Sequence, residues 1–184
     1  MVLVFLLSAL LTAFDDNVEL TELDFRLGKD IAGLHFDGRQ ESKVDGAGYG
    51  VRYANKMCKV DLFVYDGKQT DIPDGIASKQ VDQQRKNACN ELPNAQKKGL
   101  LKNLIRIEGE SPLPKAIQEK FTVDCFTFEI TGGKCKSYVL ITGFKKHFLK
   151  IRATQYIVDG KSNDTELVDF LAEIARKVEI SQKK

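Results

Sequence analysis

Residues 121–158 read FTVDCFTFEITGGKCKSYVLITGFKKHFLKIRATQYIV, and the fold class turns on how this stretch divides. β-Branched and aromatic residues dominate segments 121–130, 137–144 and 147–158, the composition of a pleated, half-buried surface. Gly132-Gly133 separates the first two segments, and both glycines can take the positive φ of a two-residue hairpin turn. The stretch therefore predicts three antiparallel strands in succession.

The same logic extends upstream. In residues 44–67, VDGAGYGVRYANKMCKVDLFVYDG, Cys58, Val60, Leu62 and Val64 alternate with Lys59, Asp61, Phe63 and Tyr65. Val51, Arg52 and Tyr53 precede them across a turn near Asn55, which gives two more antiparallel strands. Residues 21–28, TELDFRLG, set Leu23, Phe25 and Leu27 against Glu22, Asp24 and Arg26, a period-2 pattern that predicts one half-buried strand. Residues 34–40 and 101–110 are further strand candidates, and residues 114–121 a short helical turn.

Helices are expected in two places. Ser78 is an N-cap for the first, where Val81, Ala88, Cys89 and Leu92 share a face and Pro93 is expected to end it. Asn163 caps the second, with Glu166 three residues on; Leu167, Phe170, Leu171, Ile174 and Val178 form its apolar stripe. An α+β fold follows: an antiparallel sheet of about six or more strands packed by two main helices, one of them C-terminal.

The chain of 184 residues, 42% hydrophobic and 29% charged, has the make-up of one ordinary globular domain. Its net charge of +2, with lysine doublets scattered at 97–98, 145–146 and 183–184, argues against a nucleic-acid partner. Residues 2–12, VLVFLLSALLT, are apolar but well short of the ~20 residues of a membrane span. Followed by Ala13, they predict a secretory signal peptide over residues 1–13, a mature α+β domain over 14–184, and a periplasmic or secreted location without a membrane span. No Lys or Arg precedes the run and Leu11 is bulky for its place before the cut, so a buried N-terminal strand or helix is the competing reading.

Four cysteines, Cys58, Cys89, Cys125 and Cys135, are an even number, as disulfides in an oxidising compartment favour, and allow three pairings. A local loop between Cys125 and Cys135 would leave Cys58 with Cys89. A strict hairpin at Gly132-Gly133, however, opposes Cys135 to Ile130 and Cys125 to Leu140 and so sends the two sulfurs to opposite faces. Zinc is the sharper alternative, but no CxxC spacing exists and neither His35 nor His147 lies near a cysteine in sequence.

No cofactor fingerprint is found. GAGYG at 46–50 is followed by a strand rather than a helix, which makes it a turn or close strand crossing instead of a phosphate loop. The two histidines have no nucleophile elbow beside them, and Glu22 with Asp24 belong to a solvent face. Asn163-Asp164-Thr165 is a glycosylation sequon whose place at a helix start already accounts for its residue types. In residues 63–75, FVYDGKQTDIPDG, the carboxylates of Asp66, Asp71 and Asp74 suggest a cation loop, yet their spacing fits no calcium pattern and Asp-Gly and Pro-Asp-Gly are turn chemistry.

Residues 27–38 (LGKDIAGLHFDG), 46–76 (GAGYGVRYANKMCKVDLFVYDGKQTDIPDGI) and 137–154 (SYVLITGFKKHFLKIRAT) together resemble an uncharacterised family of exported bacterial proteins of proteobacterial type. The order of elements, closing with a helix on an antiparallel meander, is similar to the PsbP-like fold. The resemblance implies export and an α+β fold; the family has no established activity, so it transfers no catalytic residue. The sequence thus points to an exported, non-enzymatic binding or accessory module. Its binding residues are expected among Tyr53, Phe63, Tyr65, Asp66, Asp71 and Asp74, its partner an envelope protein or a small ligand, with no cofactor. The runner-up is an extracytoplasmic hydrolase or small-ligand carrier with a pocket between sheet and helix; a structural envelope protein with no pocket is the third possibility.

Overall fold

The middle of the structure is an antiparallel seam between β6 (Cys58–Tyr65) and β10 (His147–Ile157), paired from Phe148 opposite Tyr65 to Gln155 opposite Cys58. The computed structural model describes residues 17–109, 111–158 and 164–182. On one side of the seam, β3 (Asp30–Ile31), β4 (Leu34–Glu41) and β5 (Tyr49–Ala54) continue the sheet outward from β6; on the other, β9 (Gly133–Phe144), β8 (Thr122–Ile130) and β7 (Lys102–Ile107) continue it from β10. The result is one eight-stranded antiparallel sheet in the order β3-β4-β5-β6-β10-β9-β8-β7, beside a separate hairpin of β1 (Asn17–Leu20) and β2 (Phe25–Gly28).

Period-2 alternation along these strands builds two cores, one on each face of the sheet. Val60, Leu62 and Val64 of β6, Tyr49, Val51 and Tyr53 of β5 and Ile151 and Ala153 of β10 face the first. It is closed by the β1–β2 hairpin, by the short α2 (Lys115–Gln118) and by α3 (Asp164–Gln182), whose stripe of Leu167, Phe170, Leu171, Ile174 and Val178 is fully buried. Phe126, Phe128, Cys135, Val139, Ile141 and Phe148 face the second core, which α1 (Lys79–Lys97) closes with Val81, Ala88 and Leu92. The expected α+β architecture is the observed one, with its C-terminal helix in place. Among the described residues no helix is long and apolar enough to cross a membrane.

Ser78 caps α1 as expected, its hydroxyl oxygen accepting the Val81 N–H at 3.1 Å. Pro93 does not end the helix, which runs on to Lys97. The N–H that proline lacks is offset by burial of the final turns, where Leu92 is fully buried and Ala95 packs on the same core. The single strand expected over residues 21–28 is instead the second half of a hairpin. Thr21–Leu23 form a 3-10 turn and Asp24 takes a left-handed φ of 52°. Buried residues fall at 18, 20, 23, 25 and 27, and the three-residue step between Leu20 and Leu23 is the turn. The loop between β8 and β9 is Thr131-Gly132 rather than Gly132-Gly133, because Gly133 already pairs with Ile130. The register moves by two and the faces do not change: Cys125 opposes Tyr138 and Cys135 opposes Phe128. The signal segment and the Asn163 cap lie outside the described residues.

Two glycines are dictated by close approach. A Cβ on Gly48 would sit 1.8 Å from the Val64 carbonyl oxygen, so the GAGYG turn is a strand crossing onto the end of β6. A Cβ on Gly143 would sit 2.0 Å from the Pro73 carbonyl oxygen. That contact exists because the IPDG segment docks on the end of β9. Gly75 and Gly143 exchange two backbone hydrogen bonds of 2.8 and 3.0 Å, Ile72 is buried in the second core, and the Asp74 carboxylate accepts the Lys145 N–H at 2.7 Å. Gly143→Ala should therefore cost about 2–3 kcal/mol, read as a lower urea midpoint with unchanged slope. A variant as stable as the parent would show that the docked loop contributes nothing to the fold.

Candidate functional site

α1 covers only half of the outer sheet face. Its core draws on β7, β8, β9 and β10 and, from β6, only on Tyr65; among the described residues β4 and β5 contribute nothing to it. Over β4–β6 the outer face carries Gly38, Gln40, Gly50, Arg52, Lys59, Asp61 and Phe63. These positions alternate with residues that serve the first core, and that alternation, rather than any special motif, presents them to solvent.

Two contiguous hollows of about 220 and 300 Å³ share Gln40, Gly50 and Phe63 and together form a shallow groove beside β4. Phe63 is its apolar floor. Gly50 stands directly opposite on β5, and a Cβ there would come within 3.3 Å of the ring, so the missing side chain is what opens the floor. The next strand supplies Lys150, whose Nζ lies 4.6 Å from the Phe63 ring centroid and 2.9 Å from Glu91 Oε1 of α1. At one end of the groove Arg52 Nε donates to Asp61 Oδ1 at 2.6 Å, with Lys59 Nζ 3.5 Å from the other carboxylate oxygen. The partnered Asp61 carboxylate holds the Arg52 guanidinium above its usual range. A bulge between Phe36 and Gly38 turns β4 outward at the rim. The arrangement offers one aromatic surface with hydrogen-bonding and charged groups around it.

A second, more polar hollow of about 200 Å³ is lined by the end of β7 and the residues that follow it, by β8 and, from α1, by Arg85. Its floor is Asp124, whose side chain is 3% exposed and receives Arg85 Nη1 at 3.3 Å on both oxygens and Arg106 Nη2 on one. Burial, reinforced by the neighbouring Asp124 carboxylate, pushes the Cys89 thiol up to about 12, which leaves it protonated and a poor nucleophile at neutral pH. This cluster ties α1 to β7 and β8. Its signal in the sequence was the carboxylate of Asp124 among the apolar residues that open the strand 121–130.

Of the residues expected to bind, the structure brings only Phe63 into the groove. Tyr53 is 0% exposed, packed on Phe170 at 5.1 Å between ring centroids, and donates its hydroxyl to the Gly28 carbonyl; it is a core residue and not an exposed aromatic. Tyr65 is half-buried under α1, against Phe148, and donates to Gln84. Asp66 accepts the Lys68 N–H, Asp74 accepts the Lys145 N–H, and Asp71 is exposed near Thr70. Their roles are those of turn residues, and among the described residues no group of three or more His, Cys, Asp and Glu could hold a metal ion. Glu22 and Asp24 sit in the turn between β1 and β2 rather than on a strand face, Asp24 reaching Lys145 Nζ at 3.0 Å. His35 pairs with Asp30 in an exposed position. Gln40, Gly50, Arg52, Asp61 and Lys150 escaped sequence reading, because ordinary strand residues become a site only once a covering helix fails to reach them.

All four cysteines are free thiols. Cys58 and Cys125 face the first core, whereas Cys135 faces the second and Cys89 packs against it. The sheet therefore separates Cys58 from Cys89 and from Cys135. Cys125 shares its face, but β10 and β9 lie between β6 and β8, a distance of about 14 Å, twice what a disulfide spans. A two-bridge framework would leave Cys58 without a reachable partner. Alkylation of the unreduced, unfolded protein followed by peptide mass mapping should recover Cys58 as a modified thiol, and a disulfide-linked Cys58 peptide would refute this placement. Comparison of the chain with family models, curated proteins and solved structures found no match, so its geometry alone carries the functional reading.

Proposed function

We propose that the protein is an exported binding or accessory module whose recognition surface is the groove on the uncovered outer face of β4–β6. The observation that carries this reading is the Phe63 ring facing Gly50, at the junction of two hollows rimmed by Gln40, Arg52 and Asp61. An aromatic floor with a few directional polar groups suits a ligand that has an apolar or planar part and polar ends, such as a short peptide or a small organic molecule. The groove is open and shallow, as a surface that binds without enclosing its ligand is. Export rests on the apolar run at residues 2–12.

The runner-up, a small-ligand carrier with a pocket between sheet and helix, has its own candidate in the polar hollow beneath Arg85 and Arg106. One experiment separates the two. Amide shifts of isotope-labelled protein, followed against a library of short peptides and small organic molecules, should move at Gln40, Gly50, Arg52 and Phe63. Phe63→Ala should weaken such hits about tenfold, the loss of one aromatic contact. Shifts confined to Arg85, Arg106 and Asp124 would transfer the function to the second hollow, and hits that map to neither would overturn both. Protein recovered from outside the cytoplasm should have a mass lacking residues up to about Ala13; a full-length chain retained in the cytoplasm would overturn export.

A further inference from the structure

On the uncovered outer face the cations and carboxylates do not balance. Strand register sets Arg52 of β5, Asp61 of β6 and Arg152 of β10 in one row, and Gly50, Phe63 and Lys150 in the next. Lys59, opposite Thr154, adds a fourth cation. Three of the four are held by carboxylates. Arg52 and Lys59 share the two oxygens of Asp61, at 2.6 and 3.5 Å, and Lys150 reaches Glu91 of α1 at 2.9 Å. At the rim Asp37 adds its charge to that of Asp61 on Arg52, and Arg39 pairs with Glu41 at 2.7 Å. Arg152 is the exception. It is half-buried in the middle of the sheet, opposite an Asp61 already held by two other cations, and among the described residues no carboxylate forms an ion pair with it. A guanidinium that has lost part of its water without gaining an anion is a cost to the fold. It also lies beside the groove. Arg152 is the diagonal neighbour of Phe63, and such neighbours on one sheet face are about 7–8 Å apart, within reach of a long side chain.

We propose that the ligand is a small aromatic monocarboxylate, a reading that rests on the groove as the recognition surface: its ring lies on Phe63 and its carboxylate is taken by Arg152. The planar fork of an arginine pairs with a carboxylate through two parallel N–H···O bonds. The offset between Phe63 and Arg152 suits a carboxylate carried a short arm away from the ring. One unspent cation matches one negative charge. The second charge of a phosphate would meet only Arg52 and Lys59, both held by Asp61, and would lie against that carboxylate.

Titration of the isotope-labelled full chain with phenylpropionate, and separately with the neutral phenylpropionamide, tests the proposal through its amide shifts. The acid should move Gly50, Phe63 and Arg152 and bind about tenfold more tightly than the amide, the difference one charge-assisted pair makes. Arg152→Gln should bring the acid down to the level of the amide and leave the amide's own affinity unchanged, which also shows that the variant's groove is folded. Added salt should weaken the acid and spare the amide, a readout that needs no variant. Equal affinity of acid and amide would overturn the carboxylate while leaving the groove in place, and acid binding that survives Arg152→Gln would overturn Arg152 as its seat. Tighter binding of inorganic phosphate at the same residues would overturn the choice of a monoanion. Phenylpropionate that moves none of these residues overturns the proposal outright, and the groove itself is then decided by the neutral members of the library.

Discussion

Pairing of β6 with β10 is the constraint on which the rest of the molecule depends. Each strand is the last of an antiparallel meander, so this pairing alone merges two four-stranded halves into one sheet. Both long helices also leave from it, α1 after β6 and α3 after β10. Because side chains alternate along a strand, the seam sends Leu62, Val64, Leu149 and Ile151 to one core and Tyr65 and Phe148 to the other. A slip of one residue would exchange the two sets and expose both.

The covers on the two faces are unequal, and that inequality creates the candidate site. α3, α2 and the β1–β2 hairpin together close the inner face from β4 to β8, whereas α1 alone serves the outer one. A single helix is about 10 Å wide, too narrow for eight strands spaced at about 4.8 Å. The loop of residues 66–78 fixes which half is covered. Its Ile72 anchor and its bridge at Gly75 steer α1 over the β8–β10 side and leave Phe63, Arg52 and Asp61 in the open.

Much of this was legible before any coordinates. The three strands of residues 121–158, the Ser78 cap and the C-terminal stripe ending at Val178 are local patterns, and locality is what periodicity reports. The misjudged points have equally local causes. Pro93 was weighed by its missing N–H and not by the burial of Leu92 and Ala95 on either side of it; the turn at Thr21 was hidden because the alternation was read from its far side. The site was less legible. Phe63 was singled out as one of several strand aromatics, but only the coverage of the sheet distinguishes it from Tyr53, which alternates in the same way and lies in the core. Nothing in the residue types of Gly50 or Gln40 announces a groove, since both depend on where a helix more than twenty residues downstream comes to rest.

The seam also has a consequence in time. Cys58 and Gln155 are neighbours in space although two helices and three strands separate them along the chain. Either meander can form from contacts close in sequence, but neither can be completed until that long loop has closed, and closures of this kind slow folding. Until then β6 and β10 are themselves bare edges rich in Val, Leu and Ile, more adhesive than any edge of the finished sheet. The seal waits on β10, the last described strand along the chain, so the half that ends in β6 must stand unpaired while the other half forms.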